Sequence, residues 1–481
     1  MRRVALSTGN WLHRGKILSL RKKTGRPGQG LASAFAVDSG GLALEDGSRI
    51  GVIGGGPAGA FFAYFVLRIA ESIGLEIEVD IYEPRFFSHV GPAGCNHCGG
   101  VVSESLVQLL ATEGINLPAT VVRRGIESYV LHTDVGDVSI NTPMQEQRIA
   151  AVYRGNGPRR SEATEIAGFD RYLLDLATEK GAKVVRKLVR KIDWQDDRPQ
   201  ILAVDGSSAA YDLVAVAAGV NSQAMQLLSD AAPEYEAPDT LRAFICEFHL
   251  GHEAIEACLG PSMHVFLLDL PRLEFAALIP KGDFITLCLI GEDIDDQLVE
   301  SFLDSAEVRR CFPNGVVPPL ACHCFPRINV KAAARPYADR IVWVGDCGVN
   351  RLFKDGIGSA YRTSKAAART AVLNGISSED FEKHFWPECA RLDFDNQIAK
   401  VIFTVTKLIQ KLRFMRRGVV RMTAREQSRA GPRRHMSRVL WDVFTGSAPY
   451  KEVLLRTFHP EFPLQLLWNL VVSNLTISRR K

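Results

Sequence analysis

The run Arg49-Ile50-Gly51-Val52-Ile53-Gly54-Gly55-Gly56-Pro57-Ala58-Gly59-Ala60 decides the fold of this 481-residue chain. It sets glycines 54, 56 and 59 in a G-x-G-x-x-G pattern. An apolar stretch that can be a strand precedes it, and an apolar helical stretch, Phe61 to Ile69, follows. Each glycine has a use. Gly54 permits a tight turn, Gly56 lets backbone approach a pyrophosphate, and Gly59 lets the helix pack closely on the sheet. The helix start, with Gly55, Pro57 and Ala58 in the turn, offers backbone N–H groups and a positive dipole end to phosphates.

A second strand is expected over Glu76-Ile77-Glu78-Val79-Asp80-Ile81-Tyr82, whose residues alternate. It ends at Glu83, where a βαβ unit places an acid for the ribose hydroxyls of a dinucleotide, and Arg85 lies two residues on. The gap from the glycines exceeds the usual spacing of roughly 20 residues, and a helix running to Ser72 accounts for it.

The chain is 46% hydrophobic and 23% charged, with a formal net charge of +4 and ten cysteines. These are the proportions of an ordinary globular protein, long enough for two or three structural units. The cysteines do not suggest a disulfide framework, so a reducing, cytoplasmic setting is expected. No run reaches the roughly 18–20 consecutive apolar residues of a membrane span. Met1 to Val37 holds eight Lys or Arg and no acid. It reads as a disordered basic extension or as an Arg- and Ser-rich targeting peptide.

Further along, strands are expected at Ser128–Leu131, Gly136–Ile140, Arg242–Leu250, Met263–Leu270, Leu273–Pro280 and Phe284–Gly291. The α/β pattern returns at Arg340-Ile341-Val342-Trp343-Val344-Gly345-Asp346. Strand-rich material between parts of a nucleotide-binding domain points to a second domain that covers the ligand, with the site in the crevice. The expected division is an extension, 1–47; a nucleotide-binding domain in three parts, 48–125, 161–235 and 335–377; a β-rich substrate domain from 126–160 and 236–334; and a helical, basic C-terminal region, 378–481.

Gly345-Asp346 ends an apolar strand, where an acid can accept from a ribose hydroxyl. Gly356-Ile357-Gly358 opens an Ala-rich helix, Ser359 to Ala371, whose first amides can stabilise nearby negative charge. These segments, with Gly168-Phe169-Asp170-Arg171-Tyr172-Leu173-Leu174-Asp175 and Asp212-Leu213-Val214-Ala215-Val216-Ala217-Ala218-Gly219, resemble marks of one flavoprotein group. The chain resembles FAD-dependent oxidoreductases of the para-hydroxybenzoate-hydroxylase fold and is most similar to the geranylgeranyl reductase family. The resemblance implies a Rossmann-type FAD-binding domain with an inserted antiparallel-sheet domain. It implies that Asp346 binds a ribose of FAD, that Gly356 and Gly358 with Ile357 face the flavin ring, that Arg171 starts a helix near the flavin, and that Gly219 lies in a cofactor-binding turn.

The narrower similarity rests on Gly91-Pro92-Ala93-Gly94-Cys95-Asn96-His97-Cys98-Gly99-Gly100-Val101-Val102 and on Leu440 to Tyr450. The first resembles the reductases' C-G-G loop, which places Cys98 by the flavin. Ala218 stands where the hydroxylases carry an Asp, which counts against aromatic hydroxylation and direct NADPH reduction. The tryptophan pair expected of flavin halogenases is absent.

Cys95-Asn96-His97-Cys98 is also C-x-x-C. It could be half of a zinc site with Cys322-His323-Cys324, or a redox dithiol. The favoured reading sets Cys98 alone by flavin or substrate, and no metal site is assigned. His97 is either a proton donor or a loop histidine paired with backbone. Cys246, Cys288 and Cys389 read as small apolar residues.

From Gln397 to Leu440 there are twelve Lys or Arg and one acid, Glu426, interleaved with apolar residues. Such a basic amphipathic helix suits an anionic membrane surface, with a solvated helix face as the alternative. Nucleic acid is not expected, because no recognised module accompanies the charge.

The implied activity is flavin hydride transfer to or from carbon–carbon double bonds of an isoprenoid or other lipid-like substrate. NAD(P)H, ferredoxin or another electron-donor protein is the open choice of reductant. The alternatives are a flavin monooxygenase or a membrane-associated flavoprotein electron carrier.

Overall fold

A computed structural model of the protein describes residues 42–91, 98–142, 149–159, 161, 168–222, 231–429 and 434–478. The glycine-rich run does what its composition predicts. β1 (Ser48–Ile53) is buried along most of its length and is central in a six-stranded sheet. It pairs in parallel with β2 (Ile77–Tyr82) on one side and β12 (Leu213–Val216) on the other. β8 (Lys183–Val185) continues the sheet beyond β2, and β21 (Ile341–Trp343) continues it beyond β12, again in parallel. β20 (Tyr337–Ala338) closes that edge antiparallel.

One face of this sheet packs on helices α1 (Pro57–Ile73), α3 (Phe169–Glu179) and α7 (Gly356–Leu373). The other face is covered by a three-stranded sheet of β9 (Val189–Gln195), β10 (Arg198–Ala203) and β11 (Ser208–Ala210). Both faces of the parallel strands are thereby buried, as their near-continuous apolar sequences require.

The second large sheet has seven strands, in the order β18 (Leu320–Cys324), β14 (Phe244–His249), β17 (Phe284–Gly291), β16 (Leu273–Lys281), β15 (Ser262–Phe266), β5 (Ser128–Thr133) and β6 (Gly136–Asn141). Every pairing is antiparallel except β15 with β5. Alternation gives the sheet two apolar faces. One packs on α4 (His252–Cys258), α5 (Asp296–Leu303) and α6 (Ala306–Arg309). The other, with Tyr129, Leu131, Met263 and Val265, meets the C-terminal helices around Trp441.

Two small sheets complete the strands. β3 (Val101–Val102) and β4 (Val122–Ile126) flank β7 (Ile149–Val152), and β13 (Thr240–Arg242) pairs with β19 (Arg327–Asn329). The single strand expected over Arg242–Leu250 is therefore divided at Ala243 between two sheets. The expected strand through Asp346 stops at Trp343, and Gly345–Cys347 forms a 3-10 turn. Helix α2 (Glu104–Thr112) is capped by Ser103 Oγ, which accepts from Leu106 N.

The C-terminal region comprises α8 (Ser378–Asp380), α9 (Trp386–Lys411), α10 (Arg413–Gln427), α11 (His435–Thr445), α12 (Tyr450–Thr457) and α13 (Glu461–Ser478). The one basic helix expected from Gln397 to Leu440 is instead divided among three. Leu412 is extended, with φ −100° and ψ 101°, and starts α10 afresh. The break lets Val419 and Met422 of α10, and Met436, Leu440 and Trp441 of α11, bury their apolar faces on the seven-stranded sheet. That burial outweighs the continuation of a single helix. Part of the basic charge is internal: Arg416 donates to both carboxylate oxygens of Asp134, and Glu426 accepts from Met436 N and Ser437 N. Among the described residues no helix is long and apolar enough to cross a membrane.

Candidate active site

The glycine turn brings helix α1 down onto the end of β1. A Cβ added to Gly59 would lie 1.9 Å from Gly54 O, so no larger residue fits that helix–strand contact. Gly56 is the N-cap and offers no side chain to the first helical amides. Those N–H groups lack intrahelical partners and face whatever sits over the turn.

Glu83 leaves the end of β2 and turns back into the site, where its side chain is buried. Its Oε2 accepts from Gly55 N at 3.0 Å, and its Oε1 accepts from Arg85 N at 2.9 Å and Arg85 Nε at 3.0 Å. Arg85 Nη2 also donates to Oε2 at 3.2 Å. The two predicted residues thus form one unit, with the guanidinium on the acid and half-exposed above it.

The other predicted acid, Asp346, accepts from Asn350 Nδ2 at 2.6 Å. Burial pushes its carboxyl above the usual range, while nearby Arg154 pulls it down. The preceding Gly345 has φ +67°, and a Cβ there would meet Ala58 Cβ at 2.6 Å. The acid turn is therefore pressed against the first turn of α1. Ser364 Oγ of α7 donates to Ala58 O at 2.8 Å, which fixes α7 to the same point. Cys347 is fully buried, and burial pushes its thiol up to about 12; its Sγ accepts from Gly219 N at 2.9 Å.

Helix α7 starts at Gly356-Ile357-Gly358. Its N-cap, Asp355, has φ +53° and makes no side-chain cap. The carboxylate is held instead by Arg351 Nη1 at 2.7 Å and Arg362 Nη1 at 2.8 Å. The first amides of α7 are left uncapped, as at α1. Lys354, just before this turn, donates to Asp442 O at 2.6 Å and Ala448 O at 3.1 Å and lies over the Tyr450 ring. Burial lowers its ammonium pKa well below the usual range. The C-terminal segment singled out in the sequence thus braces the start of α7.

Three residues escaped the sequence reading. Arg154, after β7, donates from Nε and Nη2 to the two oxygens of Asp170, at 2.9 Å each. A Cβ on Gly56 would lie 3.2 Å from Arg154 Nη2, so the guanidinium sits at the glycine turn. Arg154 also lies within the electrostatic reach of Cys98 and Asp346. Lys281, at the end of β16, is 1% exposed, and its Nζ would be 2.9 Å from a Cβ on Gly100. Its backbone oxygen accepts from Tyr153 Oη at 2.9 Å.

Cys98 accepts from Gly100 N at 3.3 Å and is close enough to Cys288 to interact with it. Burial pushes the Cys288 thiol up to about 12. Cys98, Arg154 and Lys281 thus bring a thiol and two cations near one another. His97 and Cys95 lie outside the described residues, so the C-x-x-C readings do as well; Cys322 and Cys324 are on β18.

Arg171 turns outward and pairs with Asp175 at 2.7 Å, while its neighbour Asp170 has no solvent exposure. Helical phase contained that signal. Residues 170, 173, 174 and 177 make one stripe, and Arg171 falls off it. Arg154 had no comparable signal, because its importance comes from a contact across the chain.

No protein-family model matches the chain, and no curated protein is detectably similar in sequence. Solved structures are similar in shape. A geranylgeranyl bacteriochlorophyll reductase-like protein from Thermoplasma acidophilum superposes with a TM-score of 0.60 at 15% identity, covering 86% of this chain and 99% of that one. A flavoprotein/dehydrogenase from Cytophaga hutchinsonii gives 0.57 at 12% identity, covering 91% and 100%. Halogenase PltM in complex with phloroglucinol and FAD gives 0.56 at 12% identity, covering 90% and 93%. The fold is that of FAD-binding flavoproteins of the para-hydroxybenzoate-hydroxylase type.

Proposed function

We propose that the chain binds FAD and is an FAD-dependent oxidoreductase acting on carbon–carbon double bonds of an isoprenoid or other lipid-like substrate. The observation that carries this reading is the convergence of two uncapped helix starts, α1 and α7, on the Gly345-Asp346 turn. The residues present fit the cofactor. A glycine cradle and free amides suit a pyrophosphate, Glu83 at the end of β2 suits the adenosine ribose, and half-buried Asp346 suits a hydroxyl nearer the ring.

FAD, when bound, supplies hydride transfer to or from a carbon of the substrate. The chain's own groups position the partners. The α7 amides and Arg154 place positive potential on the cleft, and Asp170 holds Arg154 in place. Cys98 and Lys281, both near Cys288 of β17, are candidates to supply the proton for the second carbon. His97 is a further candidate for that proton. NAD(P)H or a ferredoxin-like protein would reduce the enzyme.

The substrate class is supported by an apolar row on α13. Leu464, Leu467, Trp468, Val471 and Leu475 are exposed, and Arg421 and Arg425 of α10 line a groove with Trp468. This combination suits an anionic membrane surface from which a lipid would be drawn.

The test is an absorbance spectrum followed by anaerobic reduction. A flavin spectrum bleached by dithionite and restored by polyprenyl lipid under argon supports the proposal. Restoration by oxygen alone, coupled to substrate, points to a monooxygenase or halogenase. Failure to take up FAD removes the reading.

A further inference from the structure

Away from the flavin cleft, on the face of the seven-stranded sheet covered by α4, α5 and α6, two histidines and a cysteine meet in the core. His132 on β5 and His264 on β15 lie on neighbouring parallel strands, offset by two residues and so on the same face. Cys311 follows α6. Exposure is 5%, 7% and 2% respectively. His132 Nε2 is 2.8 Å from His264 Nδ1, and Cys311 Sγ is 3.4 Å from His264 Nδ1 and 3.8 Å from His132 Nε2.

The outer nitrogens also have partners. His132 Nδ1 is 3.1 Å from Asp137 Oδ1, and His264 Nε2 is 3.4 Å from Leu259 O. Asp137 is directly opposite His132 in the β5–β6 register and also meets Arg310 Nη2 at 3.3 Å.

With both imidazoles neutral, this row is one hydrogen short. From Leu259 O through both rings to Asp137 there are three contacts, and each needs one hydrogen between two lone-pair-bearing atoms. Two neutral imidazoles supply two. A third would make His132 an imidazolium against Asp137, whereas a metal ion between the rings leaves both neutral. The thiol hydrogen of Cys311 is off the axis and leaves the 2.8 Å nitrogen pair facing lone pair to lone pair.

We propose that His132 Nε2, His264 Nδ1 and Cys311 Sγ bind one zinc ion. Zinc takes both inner lone pairs and the thiolate, and the thiol proton leaves to solvent. Each imidazole then keeps its single hydrogen on the outer nitrogen, where it donates to Asp137 or to Leu259 O. Metal-bound histidines are oriented in this way by carboxylates and backbone carbonyls. Bonds of about 2.0 Å to nitrogen and 2.3 Å to sulfur, at tetrahedral angles, set nitrogens about 3.3 Å apart and sulfur about 3.5 Å from each. The observed separations are within about half an ångström of those values. Cys258 does not join the group of converging ligand atoms, and the fourth position falls to water. The ion would fasten the α5–α6 segment to the sheet.

The experiment is metal analysis of the full-length protein from zinc-supplemented cells, with cobalt exchange as a second readout. The expected result is about one zinc per chain. Cobalt-exchanged protein should show tetrahedral d–d bands and a thiolate charge-transfer band, and Cys311→Ser, folded by circular dichroism, should lose the latter. Cys258→Ser should leave the bands unchanged, and a changed d–d envelope would overturn water as the fourth ligand. Wild-type protein with neither stoichiometric zinc nor cobalt bands overturns the site. Stoichiometric copper or iron overturns the choice of ion, and a charge-transfer band that survives Cys311→Ser overturns the ligand set.

Discussion

Arg154 grips Asp170 with two parallel hydrogen bonds of 2.9 Å, joining the segment after β7 to the first turn of α3 beside the glycine turn. The acid is wholly buried and the guanidinium one-fifth exposed. Removing one partner strands the other's charge. Asp170→Leu should destabilise the protein by about 3 kcal/mol in urea denaturation. The double variant Arg154→Met with Asp170→Leu should recover much of that stability without recovering flavin binding. Equal loss of both properties in the single and double variants would make the pair purely structural.

Glu83 is expected to hold a ribose, yet four donors already surround its carboxylate. A ribose hydroxyl must therefore displace part of Arg85, the exposed member. Glu83→Gln should weaken FAD binding about tenfold, or roughly 1.4 kcal/mol, in a flavin-fluorescence titration. Unchanged affinity would remove Glu83 from the site.

Gly345 combines a left-handed backbone with contact against Ala58. Gly345→Ala should cost about 1–3 kcal/mol and lower flavin content, because the acid turn must withdraw from α1. Thermal unfolding and the ratio of flavin to protein absorbance measure the two effects. A fully flavinated, equally stable variant would contradict the close approach.

Asp346 should show a trade of stability for function. Its folded-state pKa lies above the unfolded one because burial penalises the anion. The folded state then holds the proton more tightly, so stability falls as pH rises from the ordinary carboxyl pKa through the raised one. At neutral pH the apo-protein carries the full penalty. Asp346→Asn should therefore melt higher than wild type at pH 7, with the difference shrinking toward pH 4, while binding FAD more weakly. A variant that melts lower at pH 7 would reverse the sign.

The apolar row on α13 predicts binding to vesicles. Leu464 is 67% exposed and Trp468 60% exposed. Flotation with anionic vesicles should fall several-fold for Leu464→Ser combined with Trp468→Ser, and should weaken with salt through Arg421 and Arg425. Equal flotation of wild type and the double variant would separate the substrate question from any membrane.

Much of the Rossmann-type fold was legible because its signals are local. A glycine turn followed by an apolar helix, an alternating strand ending in an acid, and a second acid after an apolar strand each fall within a few residues. Glu83, Asp346 and the starts of α1 and α7 were accordingly readable. The division of the basic segment at Leu412 was not, because the composition of that segment favours helix throughout. The break follows from burying two faces against a distant sheet.

The sequence by itself determined the parallel sheet, the cradle over β1 and the chemical character of the acids around it. These depend on periodicity and backbone freedom, which neighbouring residues set. Only the tertiary structure decided that Arg154 is the partner of Asp170 and that Lys281 joins Cys98. It also decided that His132, His264 and Cys311 converge, although no spacing in the chain marks them as a group. Such sites are made by strand pairing and helix docking between residues far apart in sequence, and their charges and protons can be counted only once those elements are packed.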